Sequence, residues 1–353
     1  MPGSHHAPHA PVADALDPSL ASLETNPPRS SYLMIRGLRY HVRSWGREGA
    51  PKLFMLHGWM DCSASWQFFA NAFRRDVHLI APDWRGYGLS EWGHTDTYWY
   101  PELIGDLDHL VSHYSPHEPI NLLAHSMGGG LASLYAGTRP ERIARYVNME
   151  AYGMMDDAGT HTPQRYEQWL KRLQHRARSP GFGSYEEMAA RLRKTNGNLT
   201  EPRSLYLAHH LGKTNADGRI VLRCDPRHKD FFSNPVMYLL EEVRACWKNI
   251  TAPVLWIEAD DGTDDSRQKR IGAAGIAERK SHIRNRRDVF FDSTSHQVHI
   301  ERPERLAAEV ERFFNETATP TDTPIATPTT TPASTAGGPH AASAPRQPLR
   351  EPT

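Results

Sequence analysis

The sequence lacks an excess of either charge and has few cysteines. Its 353 residues carry 41 basic and 41 acidic side chains, so the chain has no long-range field to attract a nucleic acid or an anionic membrane surface. The three cysteines, Cys62, Cys224 and Cys246, are an odd number without paired spacing. This pattern argues against a disulfide framework or a zinc knuckle and favours a reducing compartment.

Long apolar runs are also missing. No stretch approaches the roughly 18 apolar residues of a membrane span, and residues 1–6 lack the apolar core of a secretory signal. We therefore expect a cytoplasmic protein that binds neither nucleic acid nor membrane. The composition does not predict an oligomeric state.

Proline is concentrated at the two ends of the chain. Residues 1–30 hold six and residues 317–353 hold eight of the 27 prolines. Both segments consist largely of Pro, Ala, Thr, Ser and His, which bury too little apolar surface to offset the entropy of ordering. We expect both to be disordered tails, the second rich in Thr, Pro and Ala. The body, residues 31–316, is long enough for one large core with an insertion.

Short apolar runs alternate with helical patterns through most of the body. The strand-like runs are residues 52–56, 77–80, 120–123, 146–149 and 253–257. The clearest helical segments are residues 66–74, 102–114, 131–138 and 305–314. This alternation is typical of the α/β class, a mostly parallel sheet with helices on both faces. Residues 32–35 and 39–45, joined by a turn at Gly37, resemble an antiparallel hairpin.

Residues 152–234 break this alternation. They are polar and helix-prone, with the clearest helices at 168–173 and 186–194, and show no convincing buried strand. We predict a helical cap here, which divides the α/β core into residues 31–151 and 235–316. Ligands bind at the carboxyl ends of the strands in such sheets, so an insertion after a strand end can cover a site. A surface decoration is the alternative.

The strongest motif surrounds Ser126. Residues 123–130 read Leu-Ala-His-Ser-Met-Gly-Gly-Gly and lie between a predicted strand and a predicted helix. A serine in such an elbow exposes its hydroxyl, and small residues two positions before and after it let the turn close. Ala124 and Gly128 occupy those positions. We predict that Ser126 is a nucleophile, with an ordinary helix N-cap as the alternative.

A serine nucleophile needs a base. In this architecture the order along the chain is serine, acid, histidine. His296 lies in the loop after the apolar run at 289–291 and is our candidate. His299, which opens the next helix, is the alternative.

Acyl transfer also needs two main-chain donors for the oxyanion. One comes from the residue after the nucleophile and one from the loop after the third strand. These are the N–H groups of Met127 and Trp59, and Gly58 lets the loop approach the site closely. A tight strand-to-helix turn is the alternative, but it leaves the adjacent His57 unexplained.

These motifs resemble the α/β-hydrolase superfamily, in particular its serine-hydrolase-like members. Residues 81–90, Ala-Pro-Asp-Trp-Arg-Gly-Tyr-Gly-Leu-Ser, are similar to the family's Asp-x-Arg-Gly-x-Gly-x-Ser segment, and residues 296–304 to its terminal His-x-x-His-x-Glu-x-Pro-Glu segment. With the elbow and the His-Gly loop, four motifs occur in the family's order. Ser126 differs from the aspartate nucleophile of epoxide hydrolases and haloalkane dehalogenases. Ser295 stands where the family usually has glycine.

The resemblance implies two locations for the acid of a catalytic triad. Most members carry it after the strand at 253–257, where this chain has Gly262 flanked by aspartates. The flanking residues are Asp260, Asp261, Asp264 and Asp265. Others, including the second subfamily of haloalkane dehalogenases, carry it after the preceding sheet strand, and Met149-Glu150-Ala151 resembles their Met-Glu-Ala segment. We favour Glu150 and keep Asp260 and Asp261 as alternatives.

The predicted activity is that of a serine hydrolase without a cofactor or metal, which forms an acyl-enzyme on Ser126. We expect a small, hydrophobic carboxylic ester as substrate. Candidate pocket residues are His57, Gly58, Trp59, Trp66, Tyr152, Tyr166 and Trp169. A carbon–carbon bond hydrolase or a cofactor-free perhydrolase could use the same triad. A catalytically silent binding protein on this fold is the alternative from another class.

Overall fold

An eight-stranded sheet forms the centre of the body. The computed structural model describes residues 18–153, 161–174, 180–233, 239–260, 262 and 267–316. The strands in these residues are β1 Arg29–Ile35, β2 Leu38–Trp45, β3 Lys52–Leu56, β4 His78–Pro82, β5 Ile120–His125, β6 Ile143–Met149, β7 Gly212–Thr214, β8 Ile220–Leu222, β9 Val254–Asp260 and β10 Arg286–Asp292. The order across the large sheet is β1-β2-β4-β3-β5-β6-β9-β10. Pairing is antiparallel from β1 to β4 and parallel from there to β10.

Helices cover both faces of this sheet. They are α1 Gln67–Ala72, α2 Tyr100–Tyr114, α3 Met127–Thr138, α4 Thr162–Gln174, α5 Tyr185–Thr195, α6 Glu201–Leu211, α7 Leu240–Asn249, α8 Arg267–Ser281, α9 Val298–Glu301 and α10 Pro303–Asn315. Apolar side chains of α2, α3 and α7 pack on one face, and those of α1 and α10 on the other. Burial on both faces explains why the central strands are continuous apolar runs, and the predicted α/β class is confirmed. Each helix in the described ranges is too short or too polar to cross a bilayer.

The predicted N-terminal tail is wrong for residues 18–30. Pro18–Leu23 form a 3-10 helix, and Leu20 is buried in an apolar cluster with residues of α6. Asn71 of α1 donates through Nδ2 to the Leu23 carbonyl at 2.6 Å and accepts from the Asn26 N–H at 3.1 Å. Side-chain amides of the body therefore satisfy this backbone, which composition alone does not reveal. Residues 1–17 and the predicted C-terminal tail, 317–353, lie outside the described residues.

The insertion contains the two helices predicted from the sequence, as α4 and α5, and in addition α6 and two short strands. The strands β7 and β8 follow α6 and pair antiparallel. Asn215 shapes the turn between these two strands, because its Oδ1 accepts from the N–H groups of Asp217 and Arg219 at 3.0 and 2.9 Å. The expectation that residues 152–234 hold no buried strand is not contradicted by these strands, because each has one buried residue and the others are partly or fully exposed. Each strand has three residues, too few to show a periodic pattern.

The carboxyl ends of β5, β6 and β10 lie at one edge of the sheet. Ser126 follows β5 directly and donates its N–H to the Met149 carbonyl of β6 at 3.0 Å. Glu150 follows β6 and donates its N–H to the Ile257 carbonyl of β9 at 3.0 Å. A Cβ on Gly128, in the first turn of α3, would lie 2.5 Å from the Leu56 carbonyl oxygen. Glycine there lets α3 pack closely against the end of β3.

Candidate active site

Ser126 lies in a strained turn between β5 and α3. Its φ is 52°, in the left-handed region that a residue with a side chain rarely adopts. Besides the N–H bond to β6, its carbonyl accepts from the Gly130 N–H at 3.0 Å, so the main chain is held from both sides. The structure therefore has the strand–turn–helix geometry that the elbow motif predicts.

A chain of hydrogen bonds joins Ser126, His296 and Glu150. The Nε2 atom of His296 lies 2.8 Å from Ser126 Oγ, and its Nδ1 atom lies 3.1 Å from Glu150 Oε2. An ionised carboxylate can only accept, so Nδ1 carries the proton of a neutral imidazole and Nε2 is left as an acceptor. Ser126 then donates its hydroxyl proton to Nε2. This is the arrangement that a base needs in order to remove that proton.

Glu150 is held by three donors and is only 3% exposed. Besides His296, its Oε1 accepts from the Tyr152 hydroxyl at 2.6 Å and from the Ala259 N–H at 2.7 Å. Of the candidate acids in the described residues, the structure brings Glu150 to the histidine. Asp260, at the end of β9, instead accepts from the Gly262 N–H at 2.8 Å. Asp261, Asp264 and Asp265 lie outside the described residues.

The loop after β3 touches the elbow. A Cβ on Gly58 would lie 2.8 Å from His125 Nδ1 and 3.2 Å from Ser126 Cβ, so only glycine allows this approach. Trp59 follows it with a side chain that is 37% exposed, and its indole donates to the His228 carbonyl at 2.8 Å. Met127 is the first residue of α3, where main-chain N–H groups have no acceptor within the helix. The two predicted oxyanion donors thus come from the two segments that flank Ser126.

The prediction that His57, Tyr152 and Trp66 line a pocket is wrong, because their side chains are buried in the fold. His57 is fully buried, with Nδ1 donating to the Gly58 carbonyl at 2.8 Å and Nε2 accepting from the Trp84 N–H at 3.1 Å. Burial lowers its pKa, which keeps it neutral and able to brace the loop. Tyr152 contacts Glu150, and Trp66 packs in the core. Tyr166 and Trp169 lie on α4, and their role in a pocket stays a prediction.

His299, the alternative base, contacts other residues. Its Nε2 lies 3.2 Å from Ser65 Oγ, and its ring lies 4.5 Å from that of Trp66. The alternative His299 is therefore wrong, because it is fully buried against these residues while His296 contacts Ser126 Oγ. His125 is a contact that we did not predict: its Nε2 donates to the His296 carbonyl at 2.8 Å. His125 lies inside the elbow motif, but its partner is 171 residues further along the chain, so the motif alone does not reveal this contact.

Asp61, His125 and His299 are the residues that could hold a metal ion. Within the described ranges their ligand atoms lie within 4.8 Å of one another, and all three are buried. The Asp61 carboxylate already accepts from the Cys62 N–H at 2.8 Å and from the Ser65 hydroxyl at 2.9 Å. These bonds explain the cluster as a support for the loop after β3.

Asp83, in the motif at 81–90, is a structural support. Its carboxylate accepts from His41 Nδ1 at 2.7 Å, from the Ser63 N–H at 2.6 Å and from the Leu89 N–H at 2.9 Å. Burial opposes ionisation, but the hydrogen bond and charge of His41 outweigh it and hold the pKa of Asp83 well below its usual range. Ionised Asp83 therefore ties this loop to β2 and to the segment before α1.

The family model described as alpha/beta hydrolase fold matches residues 51–303. The chain belongs to this family. It is therefore a hydrolase by class, and the fold and the resemblance predicted from its motifs are confirmed. Which bond it cleaves does not follow from membership.

Three similar proteins illustrate the range of this family. Serine hydrolase-like protein 2 of Homo sapiens is 24% identical over 288 residues, 78% of this chain and 90% of that protein. Epoxide hydrolase 4 of Mus musculus is 31% identical over 140 residues, 39% of this chain and 37% of that protein. Among solved structures, a thioesterase domain from the curacin biosynthetic pathway has a TM-score of 0.70 at 22% identity, covering 81% of this chain and 100% of that domain. This last likeness concerns the fold alone.

Proposed function

We propose that the protein is a serine hydrolase that cleaves a small, hydrophobic carboxylic ester. The observation that carries the proposal is the hydrogen-bonded series from Ser126 Oγ to His296 Nε2 at 2.8 Å and from His296 Nδ1 to Glu150 at 3.1 Å. His296 takes the hydroxyl proton as the serine attacks the carbonyl, and it gives the proton to the leaving alcohol. Water activated by the same imidazole then releases the acid from the acyl-enzyme.

The main chain stabilises the tetrahedral intermediate in this mechanism. The N–H groups of Trp59 and Met127 act as the donors, and the close approach of Gly58 to Ser126 supports that assignment. One such donor contributes roughly 100- to 1000-fold in turnover. The Trp59 side chain is 37% exposed, its indole donates to the His228 carbonyl, and it follows the glycine that approaches the nucleophile. It suits the hydrophobic part of an ester.

Ser126 also argues against epoxide opening, despite the partial match to an epoxide hydrolase. An aspartate that opens an epoxide forms an ester, which water can hydrolyse at its carbonyl. A serine would form an ether, which has no carbonyl to attack, so the enzyme would be trapped after one turnover. Ester cleavage is compatible with repeated turnover at this site.

A fluorophosphonate probe tests the proposal. We expect wild type to be labelled, Ser126→Ala to be unlabelled, and Ser281→Ala, which changes an exposed serine elsewhere, to be labelled like wild type. A panel of p-nitrophenyl esters from acetate to octanoate then reports the preferred acyl length. Wild type that neither reacts with the probe nor hydrolyses any ester would favour the silent binding protein.

A further inference from the structure

A group of polar side chains links the insertion to the loop that carries His296. We call it the joint and define it as Asn196, Asn198 and Glu301. Asn196 follows α5, and its Nδ2 donates to Glu301 Oε1 at 2.8 Å. Asn198 donates through Nδ2 to Glu301 Oε2, also at 2.8 Å. Glu301, at the end of α9, thus receives one amide from each asparagine of the insertion.

The joint holds the residues on both sides of His296. Glu301 accepts from the Ser295 N–H at 2.9 Å and from the Ser295 hydroxyl. Asn196 uses its second N–H to donate to Gln297 Oε1 at 2.9 Å. Glycine at position 295, as in most of the family, could not supply the hydroxyl, so the departure from the motif has a structural role here.

The carboxylate of Glu301 depends on these contacts. It is 9% exposed, and its four donors are the two asparagine amides and the N–H and hydroxyl of Ser295. These four donors are neutral groups, and their hydrogen bonds compensate for the loss of hydration. Removing a donor from a buried carboxylate is costly, and the loop would be expected to move so that water can replace it.

We propose that the joint sets the position of His296 and thereby couples the insertion to catalysis. Asn196, Asn198 and Glu301 are positioning residues, because they touch the flanks of the histidine and not the reacting atoms. His125 fixes the histidine main chain from the core at 2.8 Å, and the joint fixes it from the insertion. A shift of residues 196–198 is therefore transmitted through Glu301 to the distance between His296 and Ser126. This inference rests on the proposed function.

Two single variants that change the charge in opposite directions, and the double variant that combines them, test the proposal. Asn196→Asp places a carboxylate against that of Glu301. Glu301→Gln removes the charge and turns an NH₂ donor toward groups that themselves donate. An effect of charge on the imidazole would move activity in opposite directions in the two variants. Loss of position predicts a fall in both. The double variant restores a carboxylate–amide pair with donor and acceptor exchanged, at the net charge of wild type.

We expect each single variant to lose about 10- to 100-fold in kcat and in the rate of fluorophosphonate labelling, with KM changed less than about threefold, because small misplacements of reacting groups have effects of this size. The double variant should return to within about fivefold of wild type. Asn315→Asp is a matched control, because Asn315 lies at the end of α10 and accepts a hydrogen bond from Arg75. It should behave as wild type. Single variants that change activity in opposite directions, or a double variant that loses as much as the product of the singles, would overturn the proposal.

Amide hydrogen exchange of residues 293–297 measures whether the joint holds the loop, independently of catalytic activity. Protection of the Ser295 N–H should fall in both single variants and recover in the double variant. Lost protection with unchanged labelling would refute the positioning role, and unchanged protection would refute the joint itself. Absence of labelling in wild type would instead overturn the proposed function, and the exchange data would still decide whether the joint holds the loop.

Discussion

Replacing Glu150 by glutamine isolates the role of the acid, because the two side chains have the same shape. Three donors surround the carboxylate: His296 Nδ1–H, the Tyr152 hydroxyl and the Ala259 N–H. A glutamine has one acceptor oxygen. If that oxygen keeps the two donors on the Oε1 side, its NH₂ group faces His296 Nδ1, which must then become the acceptor.

This exchange reverses the tautomer of the imidazole. The proton moves to Nε2, which lies 2.8 Å from Ser126 Oγ, and Nε2 can no longer remove the serine proton. The amide replacement of a triad acid costs on the order of 10,000-fold in kcat, which is about 5 kcal/mol of transition-state stabilisation. We expect Glu150→Gln to show a loss of this order with KM nearly unchanged.

Asp260→Asn and Asp261→Asn are the matched controls. Asp260 keeps an acceptor for the Gly262 N–H when it becomes asparagine, so turnover should stay within a fewfold of wild type. Steady-state kinetics on the best p-nitrophenyl ester measure all three variants, with circular dichroism to verify folding. A large loss in either aspartate variant and a small one in Glu150→Gln would refute our assignment of the acid.

Two further predictions concern groups that support the site. Tyr152→Phe removes a hydrogen bond of 2.6 Å to the Glu150 carboxylate. We expect kcat to fall about tenfold, because a hydrogen bond to a charged group contributes a free energy of about that size. Kinetics that match wild type would show that this donor is dispensable. His228 is stacked between Tyr87 and Tyr98, and burial lowers its pKa to about 3 from 6.5. Because the unfolded chain binds this proton more readily, stability falls as the pH drops below about 6.5, by about 2 kcal/mol at pH 5. Urea unfolding at pH 7.5 and 5 should show a smaller loss in His228→Gln than in wild type or in the exposed control His117→Gln; equal losses would contradict the buried neutral imidazole.

The local motifs made the central fold predictable. The strands β3, β4, β5, β6 and β9 are buried on both faces, so their apolar runs identify them without any partner. The role of Ser126 could also be predicted from the sequence, because the residues that shape its turn are its neighbours in the chain. The short strands β7 and β8 carried no such pattern.

Contacts between segments that are distant in the chain could not be predicted from local motifs. Whether the acid follows β6 or β9 depends on where the His296 loop lies over the sheet edge, and the sequence near either strand end contains a carboxylate. The joint pairs Asn196 with Glu301 across 105 residues. Glu301 belongs to the terminal motif at 296–304, but nothing in the sequence around Asn196 marks it as the partner. Tyr152 and His57 were assigned to the pocket from residue type, whereas burial against Glu150 and Trp84 determines what they do.

Ser126 and Glu150 both have left-handed main-chain conformations, with φ of 52° and 56°, immediately after adjacent strands. Each such residue costs about 1–3 kcal/mol, a large share of the marginal stability of a folded domain. The sheet and its two helical layers therefore sustain a site that lowers the stability of the molecule. Selection for thermal tolerance alone would relax these two turns and sacrifice turnover, so their retention in a stabilised descendant would itself indicate that catalysis is still under selection.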